Sequence, residues 1–127
     1  MKWAIAIVCA GLALAAFSFQ ATREDPVKAL MKAKAGYAHR ILDAVVAQDF
    51  DTVREEAFRL KAVAETADWN VLDTAEYARE SEDFIHATEG LLESAKARNG
   101  DAMALAYVDV TLSCIHCHRY IRANVKP

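Results

Sequence analysis

Proline and glycine are scarce, with two and four residues in a chain of 127. The glycines at 11, 36, 90 and 100 stand apart, so no glycine-rich phosphate loop is present. No run reads as a β-strand, and no internal repeat or low-complexity segment appears. Neither charge sign dominates: the formal net charge is −3, which gives no bulk signal for nucleic acid. Cysteine is limited to three residues, Cys9 in an apolar stretch and a pair near the C-terminus, which leaves no disulfide framework. No catalytic acid–base pair and no nucleophile arrangement is legible, so an enzyme is not expected.

The cysteine pair belongs to Cys114-Ile115-His116-Cys117-His118, which reads C-x-x-C-H, the attachment pattern of a c-type haem. Two thiols at this spacing can each form a thioether with a porphyrin vinyl group. The imidazole at i+4 shares a helical face with the first thiol and can reach the iron as proximal ligand. Three rival readings fit less well. A structural zinc site needs four Cys or His ligands, and Cys9, His39 and His86 form no second ligand pair. A thioredoxin-like pair belongs in a βαβ context, and no strand precedes this one. A disulfide at this spacing inside a helix is geometrically poor.

Covalent haem attachment in bacteria implies export, and the N-terminus is consistent with that. Met1-Lys2 is a short basic region, Trp3 to Phe19 is apolar, and Ser18, Gln20, Ala21 and Thr22 restore polarity. Residues 1–21 thus read as a secretory signal peptide, with cleavage after Ser18 or Ala21. The alternative is an uncleaved membrane anchor, although about 17 residues is the short limit for spanning a bilayer. The remaining segment, 22–127, is about 106 residues long and makes one domain. Loss of Lys2 takes its formal charge from −3 to −4.

Four amphipathic helices are predicted. Asp25 is a plausible N-cap and Pro26 a plausible first residue of the first helix, which runs to about Gln48. Its stripe is Val27, Met31, Ala35, Ala38, Leu42 and Val45. After the turn Asp49-Phe50-Asp51, Phe50, Val53, Ala57, Leu60, Ala64 and Ala67 form the second stripe, ending near Asp68-Trp69-Asn70. A third helix spans about Val71 to Arg98, with Tyr77, Ser81, Phe84, Thr88, Leu91 and Ala95 on one face. Asn99-Gly100 reads as its C-cap and Asp101 as the next N-cap. The fourth helix, about Ala102 to Asn124, carries Leu105, Val108, Leu112, Ile115 and the haem motif. Short loops between such helices predict an all-α, antiparallel up-down-up-down four-helix bundle with covalent haem near one end.

In that topology Met31 and His118 both lie about 8 Å from the same end. Met31 reads either as a core side chain or as the distal iron ligand through its thioether. His39 is the rival ligand, about 12 Å further along the first helix. His86 and His116 are expected to face away. Trp69 and Tyr77 fall near the haem end as candidate pocket walls, with Leu72 beside them, and Trp69 reads equally well as a loop anchor.

These residues resemble the cytochrome c′ family, and more closely its low-spin cytochrome c-556 branch. The likeness runs from about Asp25 to Lys126. It rests on the motif near the end of a fourth helix, on Arg122 four residues after His118, on Leu30-Met31-Lys32 in the first helix, and on Trp69. The family often has tyrosine three residues after the histidine; here Ile121 stands there, with Tyr120 before it, and Ile115-His116 is an unusual pair inside the motif. The resemblance implies one covalent haem c on Cys114 and Cys117, iron held by His118 and Met31, and Trp69, Tyr77 and Arg122 around the pocket. It implies a periplasmic electron carrier serving redox partner proteins, with self-association through the first two helices. If Met31 only packs over the ring, the implied function is instead a five-coordinate haem protein binding NO or CO. A third expectation is a haem-carrying subunit of a larger redox complex. Lys28, Lys32, Lys34, Arg119, Arg122 and Lys126 form an expected basic ring for acidic partners.

Overall fold

The computed structural model describes residues 25–66 and 71–125. The proposed leader at 1–21, Cys9, Trp69 and Lys126 lie outside the described residues. Among the described residues there are four helices and no strand: α1 (Pro26–Val46), α2 (Phe50–Ala64), α3 (Ala75–Lys96) and α4 (Gly100–Asn124). None is long and apolar enough to cross a membrane.

Side-chain caps start each helix. Asp25 accepts from the Val27 amide at 2.9 Å, and Pro26 fills the first position, where its missing N–H costs nothing. Asp49 accepts from the Thr52 amide at 3.1 Å, Thr74 from the Tyr77 amide at 3.2 Å, and Asn99 from the Ala102 amide at 3.1 Å. The ends of α1 and α3 share one device. Gln48 and Arg98 take left-handed φ values of 55° and 52°. Beyond them the amides of Asp49 and Asn99 reach back to the carbonyls of Ala44 and Ser94 at 2.9 and 3.1 Å, the Schellman pattern. This corrects one expected boundary. Arg98, not Gly100, makes the left-handed turn; Asn99 caps α4 and Gly100 is its first residue. At Gly100 a Cβ would stand 2.0 Å from Gln48 Oε1, so a larger residue there would have to displace that side chain.

Each helix packs extensively on its neighbour in sequence, whereas α1 and α4 touch far less. The main core joins Ile41, Val53, Leu60, Phe84, Leu91, Met103 and Val110 with small alanines between them. The expected stripes of α2 and α3 are the buried ones, from Val53 to Ala64 and from Tyr77 to Ala95. The stripe of α1 is only half right. Ile41 and Ala44 are buried with Val45, while Leu42 is exposed. Glu56, off the apolar stripe, is also buried, held by Arg40 at 2.7 Å and Arg59 at 3.0 Å. A second, smaller cluster gathers Tyr77 and Cys117 with Leu30, Met31, Leu72, Tyr120 and Ile121.

Candidate cofactor site between the first and last helices

Where α1 and α4 part, they leave a cavity of 430 Å³, within the roughly 300–1,000 Å³ typical of small-molecule sites. Its α1 wall extends from Val27 to His39, about 18 Å of helix, and its α4 wall from Tyr107 to Ile121, about 21 Å. Leu60 and Phe84 form the back. The lining is mostly aliphatic and aromatic. A hydrogen bond spans the two walls, from the Tyr107 hydroxyl to the Ala38 carbonyl at 3.1 Å.

The helical repeat explains the α4 wall. Tyr107, Thr111, Cys114, His118 and Ile121 recur three or four residues apart and so share one face. Cys114 is half-buried and Cys117 buried, both as free thiols; His118 sits at the wall with an exposed edge. Burial raises both thiol pKa values, and the charge of Lys34 pulls partly the other way. Thiols held protonated are poor nucleophiles, which argues against thiol–disulfide exchange here. Among the described residues no three Cys, His, Asp or Glu side chains group into a metal site.

Across the slot, half-buried Met31 presents its thioether side chain on the α1 wall. His39 lines the same cavity further along α1 and is otherwise exposed. Tyr77 is buried in the wall, where loss of solvent pushes its phenol upward. Thr74, which caps α3 just before Tyr77, also hydrogen-bonds Tyr120 at 2.9 Å, tying the start of α3 to the end of α4. Arg122 is exposed and stands off the wall; His86 is exposed and bonded to Glu89 at 3.3 Å; His116 is exposed.

Comparison with protein-family models, with curated proteins and with solved structures returned no match. The chemistry of the site therefore rests on its own residues.

Lys34 is the residue that sequence reasoning misplaced. It was expected in an exposed basic ring, yet it is only 9% exposed and lines the cavity. Its ammonium lies 4.3 Å from the centre of the Phe84 ring, a cation–π contact. Burial is the main cause that brings its pKa down to about 8, against the opposing charges of Cys114 and Cys117. Its position three residues after Met31, on the same face, was the available signal. Lys28, Lys32, Arg119 and Arg122 are exposed, as expected.

The donor set suits a haem. Two thiols one helical turn apart, an imidazole one turn beyond the first, and a facing thioether all border one elongated apolar slot.

Proposed function

We propose that this chain is a periplasmic electron-transfer cytochrome of the cytochrome c′ type, close to the c-556 branch, with one covalent haem c between α1 and α4. The observation that carries the reading is that Met31, far from the C-x-x-C-H stretch in sequence, borders the same apolar cavity as Cys114, Cys117 and His118. Cys114 and Cys117 would hold the ring by thioether bonds, His118 would be the proximal ligand and Met31 the distal one. The haem would supply a one-electron ferric–ferrous couple. Tyr77, Phe84, Leu60 and Val110 line the slot with apolar surface, which would lower the dielectric around a bound ring.

An antiparallel up-down-up-down bundle is the arrangement we infer for the four helices. Arg98, between α3 and α4, stacks on Phe50 at the start of α2, while Thr74, between α2 and α3, meets Tyr120 near the end of α4. Those two contacts fit connections that alternate between opposite ends. Export is inferred from the apolar run Trp3 to Phe19. The exposed Lys28, Lys32, Arg119 and Arg122 would steer acidic redox partners, so electron transfer should slow as salt is added; a flat salt response would remove the steering idea.

The test is an optical spectrum of the purified protein, oxidised and reduced, beside Met31→Ala and His39→Ala. A low-spin spectrum lost in Met31→Ala and kept in His39→Ala is expected. A high-spin spectrum indifferent to both would mean an open distal side and the NO- or CO-binding function. Protein exported without a haem spectrum would end both readings.

A further inference from the structure

Helix α4 has a second apolar face that none of the described residues covers. Leu105, Val108, Leu112 and Ile115 are 69%, 51%, 44% and 46% exposed. At 100° per residue they fall, with Asp101 and Arg119, within an arc of about 80° on the side away from Met103, Ala106, Val110 and Cys117. The six residues are spaced 4, 3, 4, 3 and 4 apart, the a/d repeat of a helix–helix seam. That series reads the same in both directions. Its two ends carry opposite charges, Asp101 at one and Arg119 at the other, and both are exposed.

We propose that this face docks a second copy of the chain, α4 against α4, antiparallel about a twofold axis at the level of Val110. The register follows from the symmetry of the spacing. Leu105 meets the partner's Ile115, Val108 meets the partner's Leu112, and Asp101 meets the partner's Arg119. Each pair occurs twice, as an isologous interface requires. A parallel pairing would set Asp101 against the partner's Asp101 and Arg119 against the partner's Arg119, so the charges select the antiparallel one. The seam is about 27 Å long, from Asp101 to Arg119. One such helix pair is smaller than a standard protein interface, so the dimer is a weak, concentration-dependent one. The surface lies apart from the cavity between α1 and α4 and is distinct from the interface through the first two helices that the family resemblance implies.

Sedimentation of the purified full-length protein over a wide concentration range tests this. Wild type should pass from monomer to dimer. Leu112→Glu should remain monomeric at concentrations where wild type is dimeric. Arg119→Asp should weaken association at least tenfold, and Asp101→Arg combined with Arg119→Asp should restore it, because the swapped charges again face opposite partners. Circular dichroism on each variant checks that the helices persist. A monomer at every concentration overturns the proposal. So does a dimer abolished by Leu42→Glu on α1 and untouched by Leu112→Glu, or a charge swap that fails to restore what Arg119→Asp removed.

Discussion

Replacing Lys34 with methionine should stabilise the chain that carries no attached group, and by an amount that depends on pH. In the unfolded chain this lysine keeps its ordinary pKa of 10.5, whereas in the folded chain it titrates near 8. Between those values the unfolded state holds more protons, so stability rises with pH across that window. Below it both states are charged, and the folded state bears the whole cost of burying the ammonium. The difference amounts to about 3 kcal/mol at pH 7, falling to roughly half of that at pH 9.5. Methionine keeps the length and loses the charge, so packing changes little. Losing the contact with Phe84 works the other way, by roughly 0.5–2 kcal/mol. The pH-dependent part isolates the burial effect from that loss. The comparison belongs in a Cys114→Ala/Cys117→Ala background, because the charges of those thiols act on the Lys34 ammonium and would blur it; without them the Lys34 pKa falls further and the window widens. Tyr77 and Tyr107, also raised by burial, are present in both proteins and cancel. Urea unfolding at the two pH values is the assay. If the stability difference between Lys34→Met and its parent is the same at pH 7 and pH 9.5, the ammonium reaches solvent and the account of the cavity wall is wrong.

Other substitutions probe the scaffold. Leu91→Ala empties a fully buried site shared by α3 and the main core, and should cost about 2–5 kcal/mol in chemical unfolding; a loss under 1 kcal/mol would mean a looser core. Tyr107→Phe deletes the hydroxyl that spans the cavity walls and should cost about 0.5–1.5 kcal/mol, with faster hydrogen exchange around Ala38 as the local sign. Asn99→Ala removes the cap of α4 and should cost about 0.5–2 kcal/mol in thermal unfolding, whereas Asn99→Asp should be nearly neutral.

Much of this was written in the chain. The 3.6-residue periodicity of α2 and α3 predicted their buried faces, because a single apolar stripe leaves one way to face a core. The cap Asp25 was legible for the same local reason: a short polar side chain beside an amide that no turn can satisfy; Asp49 read only as part of a turn, and Asp101 was expected where Asn99 caps α4. The pairing of Cys114 with His118 on one face follows from helix geometry alone. Other features had no local signature. On α1, apolar residues occupy more than one face, so only the packing decided that Ile41 turns inward and Leu42 outward. On α4 they run nearly all the way round, and tertiary contacts chose Met103, Ala106 and Val110 for the core, leaving Leu105 and Leu112 in solvent. Lys34 reads from sequence as one more surface cation. It becomes a buried charge only because α1 and α4 stand apart at the level of Phe84, opening a cavity into which a long side chain on α1 must reach. The residue types and their spacing determined which helices form and which groups share a face. The separation of the two outer helices, set by how all four pack together, decided what those groups surround.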